Sequence, residues 1–417
     1  MSIAIKDVEI IGRRGPWDVL IEDDKIVSIS DEEYGDIDID GSEKYLSPGF
    51  VNTHTHAAMS LFRGYADDLP LQEWLQEKIW PLEDELTEEH VYWGTKLACL
   101  EMIKTGTVAF NDMYFFMEKA AEAVREMGMK ATLSYGYIDL GDKEKRETEI
   151  EKTNDFVDFV SDLKNIEPAL GPHAVYTVSR EGLEWAAEYS KKEDLSVHFH
   201  LAETKQESSD FKKLHDQSLT SYLDDVGLLN ERLIAAHCVW LEKEDFERMK
   251  GRDIIVSHNP VSNMKLGVGK PMKYPSFKKN NILVTLGTDG CASNNNLDML
   301  EEAKIAAIQQ KMLGDSTVLP ADEAFEMITK NGAIALKTGG GEIKEGKAAD
   351  LILIEKDVRS VPGHNPISDL IYAMNGSSVT DVIIDGEVIM RERYVKGEEK
   401  IMIKASRMAK ELVSEVN

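Results

Sequence analysis

The chain has 417 residues, 42% of them hydrophobic and 30% charged, which is typical of a water-soluble globular protein with one large domain and an appendage. Its formal net charge of −28 argues against nucleic acids and anionic membrane surfaces as partners, because both are polyanions. Three widely spaced cysteines argue against a disulfide framework, and the sequence has neither a signal-peptide pattern nor a run of 18 apolar residues. We therefore expect a cytoplasmic protein.

Short alternating apolar runs at both ends of the chain predict β strands. The first segment, 1–47, has turn clusters such as "GRRG" and "EDDK", and the second, 339–394, carries "KAADLILIE" and the strand–turn–strand pattern "VTDVIIDGEVIMRERYV". We expect the two segments to pair into one small β sandwich, with the glycines from Gly339 to Gly341 at its boundary. Residues 395–417 are expected to form a C-terminal helix.

The middle of the chain, 48–338, alternates short apolar runs with amphipathic helical stretches. Eight strands are predicted to end at "GFVNTHTH", "TVAFNDM", "ATLSYGYID", "EPALGPHA", "LSVHFHLAE", "RLIAAHC", "DIIVSHNP" and "ILVTLGTDG". Eight strand–connection units fit a (β/α)₈ barrel of the TIM type better than an open doubly wound sheet, although the connection after "SHNP" is less clearly helical. No Gly-x-Gly-x-x-Gly follows these strands, which argues against a dinucleotide-binding fold.

Polar side chains gather at the carboxyl ends of the predicted strands, where the active sites of such barrels lie. In chain order they are His54 and His56 after strand one, His173 after strand four, His200 and Glu203 after strand five, His237 after strand six, His258 after strand seven and Asp289 after strand eight. A lone histidine at a strand end is more typical of the core or rim. The recurrence at strand after strand therefore predicts one shared site.

The pattern of His54 and His56 indicates a metal centre. Side chains two apart on a strand point the same way, and two neutral imidazoles suit a metal better than an apolar core. His198 and His200 are two residues apart and share a face of the strand, so the alternation of side chains does not show which of them is the ligand. The more C-terminal position of His200 and the following "LAE" favour His200. With Asp289 as fourth ligand, the sequence predicts one divalent ion per chain, Zn²⁺ first and Fe²⁺ or Mn²⁺ as alternatives.

The same strand ends supply groups for acid–base chemistry. A catalytic Zn²⁺ lowers the pKa of its water to about 7, and the hydroxide attacks an electron-poor carbon whose leaving group then needs a proton. Glu203, three residues past His200, is placed to carry that proton. His237 and Asp289 can hold the hydroxide as base and orienting group.

Together, "THTH", "HxxE" at 200–203, "AAHC", "SHNP" and "GTDG" resemble the amidohydrolase superfamily, and within it the mononuclear deaminases. The likeness covers essentially the whole chain. It is strongest for the methylthioadenosine/S-adenosylhomocysteine deaminases and their archaeal 5′-deoxyadenosine deaminase relatives, through "HAAMSLFRGYADDLPLQEWLQEKIWPLE" and "FKKLHDQSLTSYLDDVGLL". The resemblance implies that the chain converts a small adenosine-type nucleoside to its inosine counterpart and ammonia.

The resemblance also assigns roles to individual residues. The implied metal ligands are His54, His56, His200 and Asp289. Glu203 would protonate the purine ring nitrogen next to the attacked carbon, and His237 would assist the hydroxide. The implied substrate contacts are His173 at the purine or ribose, Glu83 at the ribose 2′ and 3′ hydroxyls and Trp74 near the 5′ substituent. Without the family, "WPLEDEL" would place Glu83 on a solvated helix start, and Trp74 would be a core residue of a helix face.

One departure concerns the 5′ end of the substrate. The resemblance implies that relatives favouring S-adenosylhomocysteine hold its carboxylate with arginines after strand three, where this chain has Ser134, Tyr135 and Gly136. Only Arg146 remains nearby, within a mixed-charge run that is more often a solvated face. We therefore expect S-adenosylhomocysteine to be accepted without strong preference.

Two alternatives stay open at this stage, together with the oligomeric state, a homo-oligomer included. The first is an amidohydrolase that acts on another heterocycle, namely a guanine, cytosine or triazine deaminase or chlorohydrolase. The second is a catalytically silent barrel that serves as an assembly or metal-storage module. Glu203 and His237 argue against the silent barrel, because groups for proton transfer accompany the ligands.

Overall fold

The structure is a computed structural model that describes residues 2–69 and 71–416. Met1 and Asn417, at the ends of the predicted terminal segments, lie outside the described residues. The strands, in chain order, are β1 (Ser2–Ile10), β2 (Pro16–Glu22), β3 (Lys25–Ser30), β4 (Ile37–Asp40), β5 (Lys44–Pro48), β6 (Phe50–Thr55), β7 (Thr107–Tyr114), β8 (Lys130–Tyr137), β9 (Ile166–Pro172), β10 (Ser196–Leu201), β11 (Leu233–His237), β12 (Ile255–His258), β13 (Leu283–Leu286), β14 (Leu351–Glu355), β15 (Val379–Ile384), β16 (Glu387–Arg391) and β17 (Tyr394–Val395).

Strands β6 to β13 confirm the predicted barrel. They are parallel and hydrogen-bonded in chain order, and each contains or directly precedes one of the eight predicted strand-end motifs. Their side chains are buried on both faces, as expected for parallel strands enclosed by helices. All eight carboxyl ends therefore meet at one rim.

The seam between β6 and β13 is closed by polar contacts. The Asp289 N–H donates to the carbonyl of His54 at 3.0 Å, and the Thr53 hydroxyl donates to the carbonyl of Leu286 at 2.9 Å. Gly287 permits this approach, because a Cβ there would lie 2.7 Å from the Cβ of His54. The first and last barrel strands thus bring "THTH" and "GTDG" side by side.

The helices of the chain surround the barrel and cover its rim. They are α1 (Leu71–Trp74), α2 (Trp80–Asp84), α3 (Glu88–Lys104), α4 (Met117–Met127), α5 (Lys143–Val160), α6 (Arg180–Glu193), α7 (Lys205–His215), α8 (Leu219–Asp225), α9 (Lys243–Met249), α10 (Pro260–Lys265), α11 (Tyr274–Lys279), α12 (Met299–Lys311), α13 (Ala321–Ile328), α14 (Lys330–Ala335), α15 (Pro366–Tyr372) and α16 (Glu398–Val416). A π-helical turn, Leu75–Ile79, joins α1 to α2, and 3₁₀ turns lie at Ala57–Phe62, Val358–Ser360 and Gly376–Ser378.

Local sequence accounts for several of these helices. Ser179 and Thr204 cap α6 and α7, each with its hydroxyl oxygen accepting a backbone N–H of the first turn. The connection after "SHNP", which is ambiguous in sequence, contains the two six-residue helices α10 and α11. None of the helices in the described part of the chain is long and apolar enough to cross a membrane.

The strands from both termini form a second sheet, as predicted. Its order is β17-β16-β15-β14-β5-β1-β2-β3, with β4 on β1, and β5 pairs with β14 at the junction of the two segments. The expected sandwich is therefore one continuous sheet, which encloses an apolar core of its own that includes Ile5, Ile21 and Leu353. Alternate residues such as Ile352 and Ile354 join the barrel core instead.

Candidate metal centre and active site

Four rings, the imidazole cluster, converge at the carboxyl rim of the barrel: His54, His56, His200 and His237. Their centroids lie 4.9–5.5 Å apart for the pairs in contact. The Nε2 atoms of His56 and His200 are 3.3 Å apart, and Asp289 Oδ1 lies 3.4 Å from His56 Nε2 and 3.5 Å from His54 Nε2. All four ligands suggested by the sequence therefore lie together.

The donor atoms of this group fit a metal ion. One potential ligand atom each from His54, His56 and His200 lies within 4.8 Å of the others, and the same holds for His54, His237 and Asp289. His54 Nε2 is buried and has no hydrogen-bond partner within 2–69 and 71–416. A buried ring nitrogen without a partner is costly, and a cation would satisfy it.

The Nδ1 atoms of His54, His56 and His200 each contact a protein group. His56 Nδ1 donates to the Met113 carbonyl at 2.7 Å, and His200 Nδ1 donates to the His173 carbonyl at 2.9 Å. His54 Nδ1 lies 2.6 Å from His198 Nε2, so His198 contacts the ring nitrogen of His54 other than the one near Asp289. Such contacts fix each ring and leave Nε2 free to bind a metal.

Burial sets the charge of the ligands. It lowers the pKa of His54 to about 4 and holds the pKa of His200 well below its ordinary value, so both rings are neutral at pH 7. Burial alone would raise the pKa of Asp289, but the facing imidazoles outweigh it and hold that pKa well below the usual range. Asp289 Oδ2 also accepts the Ser262 hydroxyl at 2.6 Å. Neutral imidazoles and an ionised carboxylate are the forms that bind divalent ions.

The Glu203 carboxylate faces His237, one of the four rings of the imidazole cluster. Glu203 Oε2 lies 4.0 Å from His237 Nε2, and His237 Nδ1 is engaged by Asn263 Oδ1 at 2.9 Å. Burial raises the pKa of Glu203. Burial lowers the pKa of His237, but the carboxylates of Glu203 and Asp289 outweigh it, and the pKa is raised. Both pKa values are thereby raised, which favours the protonated form of each group, as suits groups that can hold and pass on a proton.

The backbone at these strand ends is locally strained. Ala202, His237, Cys238 and Asp289 all have left-handed φ angles, between 51° and 70°. Non-glycine residues in this region cost free energy and are concentrated at functional sites, where the surrounding contacts hold them. Two of the four residues carry side chains of the site: His237 belongs to the imidazole cluster, and Asp289 faces it.

Glu83 packs against the barrel rim rather than standing on a solvated helix start. It lies on α2, and its Oε1 accepts the Tyr114 hydroxyl at 2.9 Å. Burial raises the pKa of Glu83 to about 7, and the hydrogen bond from Tyr114 opposes that shift. Tyr114 ends β7, and its ring centroid is 6.2 Å from that of His56. Through Tyr114, the carboxyl of Glu83 is thus bonded to the barrel rim next to the imidazole cluster.

His173 lies against the imidazole cluster, whereas Trp74 and Arg146 make their described contacts elsewhere. The His173 ring is 4.7 Å from that of His200, and its Nδ1 is 2.8 Å from the Thr177 hydroxyl. Trp74 is buried and donates through Nε1 to the Ala66 carbonyl at 3.0 Å.

Arg146 Nη1 donates to the Ser179 hydroxyl at 3.2 Å and lies 3.8 Å from Glu181. Its described partners are at the start of α6, away from the imidazole cluster.

Sequence reasoning missed several supporting residues. Tyr114 and Ser262 lack any local pattern that distinguishes them from packing residues. Tyr176, whose ring packs edge-on to His173 at 5.8 Å, follows "GPHAV" without a strand signal. Glu207 alone carries a usable signal, because it stands in the third helical position after Thr204, where an acid often returns to the helix start.

Comparisons with known proteins agree with this geometry. The Amidohydrolase family profile matches residues 45–389. The chain is 53% identical over 383 residues to a 5′-deoxyadenosine deaminase of Methanospirillum hungatei, covering 91% of this chain and 85% of that one. It is 47% identical to 5-methylthioadenosine/S-adenosylhomocysteine deaminase 1 of Archaeoglobus fulgidus, covering 98% and 99%.

Solved structures are similar over the same length. A zinc-bound adenosine deaminase from Xanthomonas campestris superposes with a TM-score of 0.93 at 31% identity, covering 99% of this chain and 98% of that one. An atrazine chlorohydrolase from Arthrobacter aurescens, also with zinc, has a TM-score of 0.90 at 21% identity, covering 98% and 100%. The second likeness is one of fold alone.

Proposed function

This chain belongs to the amidohydrolase family, and we propose that it is a hydrolytic deaminase that converts an adenosine-type nucleoside to its inosine counterpart with release of ammonia. The observation that carries the proposal is the Glu203–His237 pair, 4.0 Å apart, beside four histidine and aspartate side chains that fit a divalent ion. Hydrolytic removal of an amine needs both an activated water and a proton donor, and this rim offers groups for both.

We assign the metal to His54, His56, His200 and Asp289, with Zn²⁺ in preference to Fe²⁺ or Mn²⁺. Three imidazoles and one carboxylate suit all three ions, and the zinc in the similar Xanthomonas campestris structure favours Zn²⁺. A bound divalent ion would supply the Lewis acidity that makes water nucleophilic near neutral pH.

The protein residues move the protons in this proposal. His237 takes up the proton that the attacking water loses, and its Nε2 faces Glu203 because Asn263 holds Nδ1. Glu203 delivers a proton to the purine ring nitrogen next to the attacked carbon. His237 passes the proton that it took from the water to the amine, the C–N bond breaks and ammonia leaves. The ring carbon keeps the water oxygen as a carbonyl, and the remaining hydroxyl proton returns to Glu203.

The substrate contacts are assigned from the family resemblance, supported for Glu83 and His173 by their positions at the rim. Glu83, tied to Tyr114, accepts the ribose 2′ and 3′ hydroxyls, and His173 lies at the purine or ribose. Trp74 lines the region of the 5′ substituent. Since Arg146 is engaged by Ser179 and Glu181, we expect 5′-deoxyadenosine and 5′-methylthioadenosine to be good substrates, S-adenosylhomocysteine to be accepted and adenosine to be tolerated.

The test is a substrate panel followed by loss of adenine absorbance and release of ammonia. The zinc-loaded protein should deaminate the four nucleosides and leave free adenine, guanine and cytosine unchanged. Faster turnover of guanine, cytosine or a triazine than of any nucleoside would favour the alternative heterocycle. Full occupancy by metal with no ammonia from any compound would favour the silent barrel.

A further inference from the structure

The Glu207 carboxylate has no role in the proposed reaction, yet it holds the backbone that carries Glu203. Glu207 lies in the first turn of α7. Its Oε1 accepts the backbone N–H of Ala202 at 3.1 Å, and its Oε2 accepts the backbone N–H of Glu203 at 2.8 Å. One carboxyl group thus accepts hydrogen bonds from two successive peptide N–H groups. Burial raises the pKa of Glu207 to about 7, so above that pH the bonds are charge-assisted and stronger than neutral ones.

The segment that Glu207 binds, Ala202 and Glu203, is a strained turn. Ala202 has φ of 52°, a left-handed conformation that is strained for a residue with a Cβ. On its other side, the Ala202 carbonyl accepts the N–H groups of Val239 at 3.0 Å and Trp240 at 2.8 Å. These two residues follow His237 and Cys238, so the turn is also bonded to the loop that carries the partner of Glu203.

Ordinary helix capping does not account for Glu207. The hydroxyl of Thr204 already caps α7 by accepting the Glu207 N–H at 3.1 Å. In a capping box, an acid in this position returns to the N–H of the capping residue. Glu207 interacts with the Thr204 N–H in this way too, but its two oxygen atoms also accept from the N–H groups one and two residues further back, in the turn after β10.

We propose that Glu207 is a positioning residue, whose carboxylate fixes the Ala202–Glu203 backbone and thereby aims the Glu203 side chain at His237 and at the substrate ring. The inference rests on the proposed function, because it gives Glu203 the role of proton donor. An amide in place of the carboxylate would keep one acceptor and turn an NH₂ group toward the other backbone N–H. The turn would then lose one bond and gain a repulsive contact.

A double-mutant cycle tests how Glu207 acts. Glu207→Gln should lower kcat about 10-fold or more with KM within a few-fold, and the protein should retain one metal ion per chain. In a Glu203→Gln background the same substitution should have less than a twofold further effect, because residues that act as a unit are not additive. Losses that multiply in the double variant, or unchanged kcat in Glu207→Gln, would overturn the proposal.

Hydrogen exchange supplies a readout that is independent of activity. The amides of Ala202 and Glu203 should exchange faster in Glu207→Gln than in the parent protein, and unchanged protection of both would overturn the proposal. Glu144→Gln, a substitution of an exposed acid in the first turn of α5, is the matched control and should leave exchange and kcat unchanged. If no nucleoside is deaminated by the parent protein, the proposed function fails, whereas the exchange arm still decides whether Glu207 holds the turn.

Discussion

At the scale of single residues, the two nitrogens of His54 have separate tasks. Nδ1 is 2.6 Å from His198 Nε2, and Nε2 is the buried nitrogen that faces the proposed ion. If His54 donates from Nδ1, His198 fixes the tautomer in which Nε2 carries the lone pair.

Replacing His198 should therefore weaken metal binding without removing a ligand. We expect His198→Leu to raise the zinc dissociation constant about 10- to 100-fold, the usual worth of such a supporting contact. His198→Gln, whose amide oxygen can still accept from His54, should lose less. Equal affinity in the parent and the leucine variant, measured by competition with a chelator, would mean that the contact does not orient His54.

Glu203 gives the second residue-scale prediction. Glu203→Gln keeps the shape of the side chain and removes its transferable proton, so kcat should fall by about 10²- to 10⁴-fold. The metal content should stay at one ion per chain, since Glu203 is not among the assigned ligands. Turnover within a few-fold of the parent, in protein of unchanged metal content, would rule out the proton-donor role.

At the scale of secondary-structure elements, the hydrogen bond from Tyr114 to Glu83 joins α2 to the end of β7. It orients a carboxyl that we assign to the ribose diol, and a site built to bind a hydroxyl discriminates strongly against analogues that lack it. Tyr114→Phe should lower kcat/KM for adenosine about 10-fold and that for 2′-deoxyadenosine less. An equal loss for both nucleosides would show that Tyr114 acts on the ring position rather than on sugar recognition.

The same elements show what the sequence could predict. The strand period alone places His54 and His56 on one face, and the parallel topology then brings Asp289 from the last strand beside them. The alternation of side chains along β10 could not distinguish His198 from His200, because both point into the barrel and differ only in their distance from its rim. The partner of Glu83 could not be found from local patterns, since Tyr114 lies on a different element and the bond depends on how α2 folds over the rim.

At the scale of the whole molecule, metal binding should stabilise the fold. The proposed ligands come from the end of β6 and the residue after it, from β10 and from the segment after β13, so one ion would link the first, fifth and last strands of the barrel. A ligand at 100 times its dissociation constant adds about 2.7 kcal/mol to the free energy of unfolding. Chelation should lower the unfolding temperature, and one equivalent of Zn²⁺ should restore it; two ions per chain in fully active protein would contradict the assignment.

The buried His258 makes stability depend on pH. Burial lowers its pKa to about 3, whereas an unfolded histidine has a pKa of about 6.5. Below pH 6.5 the unfolded chain binds a proton that the folded chain refuses, so this residue lowers the free energy of unfolding by up to about 1.4 kcal/mol per unit as the pH falls toward 3. Between pH 7 and 5, the free energy of unfolding of metal-free His258→Leu, measured with denaturant, should fall less steeply than that of the metal-free parent. Identical slopes would contradict the lowered pKa of His258.

The pairing of β5 with β14 bears on how the chain folds as it leaves the ribosome. All eight barrel strands are synthesised before β14. Until β14 is available, β5 is paired with β1 along one edge, and its other edge has no partner strand. An open edge invites pairing with another chain, and contacts between distant segments form slowly. Incomplete chains that end before β14 therefore carry a built-in tendency to aggregate, which full-length synthesis removes.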